Sequence, residues 1–269
     1  MPTFLNYIIN AFAFGIVFLF GSVGEIITEK SGHLNLGIPG VMCVGAMTGC
    51  VAVHAVHGMN LPGFLVVIIG IAASLIGGAL MGALYSFMTV TLHSNQNVTG
   101  LIMTTFGAGF TKFVMPSLSA PNYLYAKAFF RFPFSDRNDA LQYCGVMLYI
   151  AVIIAIIASL VLSRTRVGLH LRAVGENPAT ADAAGINVQR YRYLATMVGC
   201  AIAGLGGLFY VFAQSLSLFG IKASLKDTTL IEMLPYIITL LVLIVTSIKN
   251  KKSNQPPAGL GLNYYREDR

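Results

Sequence analysis

A chain of 269 residues that is 56% hydrophobic and only 10% charged is not an ordinary water-soluble domain, in which about a quarter of residues carry charge. Its net charge of +7 would suit a nucleic-acid binder, but the basic residues cluster beside apolar runs, so they mark membrane-flanking positions and no nucleic-acid partner is expected. The apolar runs are long enough for helices rather than barrel strands, which predicts an all-α, polytopic transmembrane helical bundle of about seven spans in contact with membrane lipid.

Residues 5–22 form the first apolar segment, with no basic leader and no A-x-A site, so it is expected to be retained. It runs into the glycine-rich stretch 21–40, GSVGEIITEKSGHLNLGIPG, which holds Glu25, Glu29, Lys30, His33 and Asn35. Non-helical backbone beside spanning helices is tolerated only where it is buried in protein or lines a wet cavity. Two readings therefore stand level: a short cytoplasmic loop, or a broken or re-entrant helix on a translocation path. Pro39 marks a break or a helix start, and the side of the N-terminus depends on how that break is drawn.

Residues 41–57 predict a second span, with Gly45 and Gly49 spaced for close helix packing. His54 and His57 at its end lack any acidic or cysteine companion and read as interfacial, so no metal site is expected. Residues 63–92 predict one long helix of near 45 Å at 1.5 Å per residue, on which Ser74, Gly78, Gly82 and Ser86 form a small-residue packing stripe. HSNQNVTG (93–100) follows. In a loop Ser94, Asn95, Gln96, Asn97 and Thr99 would be unremarkable; at a pore mouth they offer uncharged donors and acceptors to a neutral polar solute.

Residues 98–115 predict the next span, 116–140 an outer loop, and 142–162 a return to the cytoplasm. There lies the longest polar interruption, Arg164 to Arg192, whose five arginines (164, 166, 172, 190, 192) face only Glu176 and Asp182. Arginine accumulates on cytoplasmic loops, which orients the chain. Within it Asn177 is a good N-cap, Pro178 suits the first helical position, ATADAA has high helix propensity, and Gly185 can end the helix in a left-handed cap. About two turns are too short to stand alone in water, so this helix should rest on something. It is either an ordinary loop with a helical turn or a docking helix for a soluble partner. Residues 193–213 span outward, with Gly199, Ala203 and Gly207 as a second packing stripe; 229–248 return, with Glu232 and Pro235 near the start; 249–269 form a cytoplasmic tail. The domain expectation is one transmembrane unit, 1–248, carrying the cytoplasmic loop 163–192, followed by that tail.

No catalytic constellation is present. There is no GxxxxGK[ST] loop, no HExxH and no GxSxG, so no catalytic residue and no enzyme activity are expected. Intramembrane acids are nearly absent, which disfavours an ion-coupled carrier. Cys43, Cys50, Cys144 and Cys200 stand singly in apolar segments and read as small buried residues.

Three stretches carry a resemblance: GEIITEKSGHLNLGIPGVMCVGA (24–46), NQNVTG (95–100) and, most specifically, TRVGLHLRAVGENPATADAAGINVQRYRYLATMVGCAIAGLGG (165–207). They resemble the permease subunits of bacterial ABC importers for nucleosides, within the wider group of ribose and branched-chain amino acid permeases. The resemblance implies a multi-pass plasma-membrane subunit that moves nucleosides or simple sugars by ATP-driven alternating access. It implies three partners: a cytoplasmic ABC ATPase, a second homologous permease, and an extracellular substrate-binding lipoprotein. The chain itself would bind no cofactor; ATP and Mg would belong to the ATPase. The coupling role falls on Arg172, Gly175, Glu176, Asn177, Pro178, Asp182 and Gly185, with Glu176 and Asp182 pairing with basic residues of the ATPase. The SGxLNxG stretch, matched by Ser31, Gly32, Leu34, Asn35 and Gly37, would lie near the path, joined by Asn95, Gln96, Asn97 and Thr99. Helix packing falls on Gly78, Gly82, Gly199 and Gly207.

Two departures stand out. Pro39 replaces an acidic residue usual in such permeases, and an internal piece is expected to be missing after Val211, where GGLFYV runs straight into FAQSLSLFG. The alternatives are thus a shortened, transport-inactive permease-like membrane partner and, with less support, an ion-coupled secondary transporter.

Overall fold

The computed structural model describes residues 3–56, 59, 61–115, 145–215, 244 and 256–265. Almost all of them belong to the first of two compact units, residues 1–218 with 257–269; the second is 219–256. The described part of the first unit is helical: α1 (Thr3–Glu29), α2 (Ile38–Ala55), α3 (Gly63–Ser86), α4 (Gln96–Val114), α5 (Gly145–Arg164), α6 (Arg166–Glu176), α7 (Pro178–Ala183) and α8 (Val188–Ser215). Three helical stretches are long and apolar enough to cross a membrane: Ile38–Ala55, Gly63–Thr91 and Val188–Val211. A fourth arises if Tyr149–Arg164 and Arg166–Glu176, bent by 74°, count as one span. Helices also occupy the expected spans at 5–22 and 98–115; the expected loop 116–140 and, apart from residue 244, the expected span 229–248 lie outside the described residues.

The expected single helix over 63–92 is continuous but changes character near its end. The last turn, Phe87–Thr91, is π-helical, and the chain leaves it through His93 at φ 53. The stretch 210–214, where an internal piece is expected to be missing, is uninterrupted α8.

Helix α8 is the hub, packing on α1, α2 and α3. Small residues permit this. Gly24 of α1 meets the Gly199 carbonyl, and Gly199 in turn meets the Gly24 carbonyl and the Thr28 hydroxyl. On α3, Gly78 lies against the Cys200 carbonyl and Gly82 against Thr196 and Cys200; Gly207 lies against the Met42 carbonyl of α2. No side chain larger than hydrogen fits at these crossings without moving a backbone, so dispersion contacts between main chains replace interdigitating side chains. Between them lie Val17, Phe20, Cys50, Val53, Leu208 and Phe209 in one apolar cluster, and Val41, Met47, Met81, Tyr85, Met103 and Cys200 in a second. The outward faces carry exposed Ile76, Leu80 and Leu84 on α3 and Ile102, Phe106 and Phe113 on α4, as suits a lipid solvent.

Pairings along α8 also set directions. Gly24 faces Gly199 while Phe20 faces Gly206, so α1 and α8 run antiparallel and the start of α1 points away from the arginine-rich loop. Ser74, Gly78 and Gly82 meet Gly204, Cys200 and Thr196 in turn, so α3 ends where α8 begins.

Candidate functional site

The polar elements singled out in the sequence converge at one end of the bundle. The first is the break after α1. Its chain does not simply turn round; it climbs along α8. Gly32 lies against Arg192, His33 Nδ1 is 3.0 Å from Thr196 Oγ1, and Asn35 Nδ2 donates to Cys200 Sγ at 3.4 Å. From 192 to 200 is about 12 Å of helix, so α2 starts roughly that far inside the bundle, with Pro39 in its first turn. The backbone of this extended piece is satisfied by its own Asn35 and by side chains from three helices, α1, α3 and α4. Leu34 N donates to Gln96 Oε1 at 2.9 Å, and Leu34 O accepts the Tyr85 hydroxyl at 2.7 Å. Asn35 N donates to Glu25 Oε1 at 3.1 Å, Gly37 N to Asn35 Oδ1 at 2.9 Å, and Leu36 O accepts the Thr104 hydroxyl at 2.9 Å. This is a broken segment buried in protein, one of the two settings in which such backbone survives at depth.

The pathway candidates divide accordingly. Asn35, Gln96 and Thr99 are buried, and their polar groups serve the chain: the first two hold the break, while Thr99 Oγ1 donates to Asn95 O at 2.8 Å. Asn95 caps α4, its Oδ1 accepting from Asn97 N and Val98 N. Gly37 packs against Met103 and Gly100. Only Asn97 among the six lies exposed with no role in the frame beyond its amide.

The second element is the arginine-rich loop. Thr165 caps α6 by accepting from Gly168 N at 3.2 Å, and α6 buries Gly168, Leu171, Val174 and Gly175. This amphipathic helix was not foreseen; Thr165 followed by small and apolar residues at three- and four-residue spacing is the signal for it. Arg172 lies exposed on its far side, its Nε 3.5 Å from Gly168 O. Then α7 forms where its caps predict: Asn177 Oδ1 accepts from Thr180 N at 3.0 Å, Pro178 opens the helix, and Gly185 closes it at φ +83. It rests on Ala181, packed with Val174 and Val188 over Tyr264, while Ala179, Thr180, Ala183 and Ala184 face outward.

The third element, residues 257–265, carries no motif, and its sequence marks it only as part of the tail. It lies across both others. Ala258 N donates to Glu176 Oε2 at 3.1 Å and Gly259 N to Gly175 O at 2.9 Å. Gly261 N donates to Gly32 O at 3.0 Å, and Leu262 O accepts from Arg192 Nη1 at 3.1 Å. Asn263 Nδ2 donates to His93 O at 2.7 Å while its Oδ1 accepts from Gln96 Nε2 at 3.4 Å. Tyr264 Oη donates to Asp182 Oδ2 at 2.8 Å, and the Tyr265 ring lies on His93, centroids 4.5 Å apart. Both acids of the arginine-rich loop thus meet groups of this chain. Arg192 is buried, with Nε and Nη2 unmatched among the described residues. No cluster of three or more metal-ligating side chains occurs among the described residues.

Comparison with known proteins bears on the whole assembly of elements. The model of a permease component of branched-chain amino acid transport systems matches residues 7–249. A putative glucose ABC transporter permease protein, TsgC13 of Haloferax volcanii, is 35% identical over 218 residues, covering 74% of this chain and 60% of the relative. The nucleoside ABC transporter permease protein NupC of Lactococcus lactis is 28% identical over 227 residues, 77% of this chain and 67% of the relative. The guanosine ABC transporter permease protein NupQ of Bacillus subtilis is 27% identical over 276 positions, 82% of this chain and 86% of the relative. That last match is longer than the chain, so the relative holds residues with no counterpart here. No solved structure gives a significant match. A multi-pass membrane protein with this helical frame and a match over most of its length, the chain belongs to the permease-component family of branched-chain amino acid transport systems.

Proposed function

We propose that the chain is the permease subunit of an ABC importer in a bacterial plasma membrane, moving a small polar solute, a nucleoside or a simple sugar, by ATP-driven alternating access. The observation that supports this best is α7: a capped helix of small side chains, backed by Val174, Ala181 and Val188, with Ala179, Thr180, Ala183 and Ala184 turned outward at the basic end. Small outward side chains let another protein's surface approach closely. Backing by α6 and α8 means that a force applied to α7 moves the bundle rather than bending a loop. The partner there would be an ABC ATPase that uses ATP and Mg, while this chain binds no cofactor. A second homologous permease would complete the path, and an extracellular substrate-binding lipoprotein would deliver the solute. The names of the relatives, one for glucose and others for nucleosides or guanosine, support a small polar solute without choosing between sugar and nucleoside.

The test is a pull-down in mild detergent with the neighbouring ATPase and second permease, run with the native chain and with residues 176–185 replaced by a glycine-serine linker. Capture of the ATPase by the native chain and its loss in the variant, with membrane insertion intact, is the expected result. Uptake unchanged by the replacement sinks the reading. A second reading, a shortened and idle permease, is favoured by the residues of the guanosine permease that lack counterparts here. Capture of the second permease but never of the ATPase would select it.

A further inference from the structure

Residues 257–265 touch every polar element at the basic end, yet nothing in their own composition requires it. They are short, carry no charge and bury little apolar surface. What they do is bridge. Through Glu176, Gly175 and Asp182 they hold the α6–α7 corner; through Gly261 N and Gly32 O they hold the start of the broken segment; through Asn263 they hold His93 and Gln96. Gln96 is also the acceptor for Leu34 N, so Asn263 is one bond removed from the middle of the break. The corner also meets the break directly where Gly175 lies against Lys30 and Gly32.

We infer that residues 257–265 form a strap that transmits displacement of the α6–α7 corner to the broken segment at 31–37. The strap presents the Leu262 carbonyl to Arg192 Nη1, while Arg192 Nε and Nη2 and His33 Nε2 have no protein partner among the described residues. A push on α7 that shifts the strap at Glu176 and Asp182 is thereby passed to its contacts at Gly32 and Asn263. The strap is fastened largely by backbone amides of glycines and by single polar contacts, each weak alone and additive only while the strap keeps its shape.

The strap itself is a property of this chain; its consequence for transport rests on the importer reading. Gly259→Ala tests both. A methyl there would lie 2.6 Å from Gly175 O and 3.4 Å from Pro178 Cδ, so it wedges the strap off the corner. Tyr264→Phe, which removes the bond to Asp182, is the milder variant, and Leu262→Ala, at a side chain 61% exposed, is the control. Hydrogen exchange is measured on the full chain in lipid nanodiscs. In Gly259→Ala, amides of 31–37 and of 176–186 should speed up together by about tenfold or more while those of α3 and mid-α8 hold, with Tyr264→Phe intermediate and Leu262→Ala unchanged. Faster exchange in only one of the two segments, or in neither, overturns the inference. In the assembled complex, Gly259→Ala should still capture the ATPase while uptake falls about tenfold; unchanged uptake also overturns it. If the native chain captures no ATPase, the importer reading fails, and the exchange data alone decide the strap.

Discussion

Replacing Tyr85 by Phe should loosen the broken segment without disturbing the helix that carries it. Tyr85 is fully buried, and its hydroxyl makes one contact of consequence, 2.7 Å to Leu34 O. The ring keeps its place among Val41, Met81 and Met103, so packing is unchanged and only the bond is lost. The Leu34 carbonyl is then left with no donor in a place that water does not reach easily. An unsatisfied buried carbonyl costs about 1–3 kcal/mol, and that cost falls on the one conformation in which the break is packed. If the break opens as a local unit, its opening equilibrium should rise roughly 5- to 150-fold, which hydrogen exchange at residues 33–37 reads directly. Gln96→Leu removes the acceptor for Leu34 N and should act in the same direction. Because both side chains hold the same residue, the double variant should cost less than the sum of the two single variants. Exchange in 33–37 that stays at the native rate in Tyr85→Phe would refute the view that side chains, rather than the packing of neighbouring helices, fix this backbone.

Other sites make separate predictions. Asn177→Ala should destabilise α7 by about 1 kcal/mol through loss of its cap while Asn177→Asp retains it, a difference visible in exchange at 180–183. Gly185→Ala forces a side chain into φ +83 and should cost about 1–2 kcal/mol, read as a lower denaturation midpoint in detergent. Gly207→Ala drives a methyl into the Met42 carbonyl and should cost about 1–3 kcal/mol or more, whereas Gly109→Ala, with nothing within 4 Å, should be neutral or stabilise α4 by about 0.5–1 kcal/mol. Equal effects of that pair on thermal stability would contradict the close-packing account of the α2–α8 crossing.

Features encoded within a few residues were legible before any fold was known. The membrane class follows from composition, because apolar runs of this length have no place in water. The short helix at 178–183 follows from Asn177, Pro178 and Gly185, since caps act on the nearest backbone groups. The small-residue stripes on α3 and α8 are periodic, and periodicity states which face a partner helix must approach. Even the break was marked by its glycines and Pro39, although two readings of it stood level.

What the sequence did not decide is which groups satisfy that break and what lies over the α6–α7 corner. Asn95, Gln96 and Thr99 look alike in sequence as neutral polar side chains; only their depth and neighbours make one a cap, one a support for Leu34 and one a bond back to its own helix. The strap is the clearest case. GLGLNYY has no period, charge pattern or cap, and its contacts reach back 82 residues to Asp182 and 170 to His93. Hydrogen bonds of that span depend on where whole helices end relative to one another. That placement is set by the close crossings on α8 and is written in no single stretch of the chain.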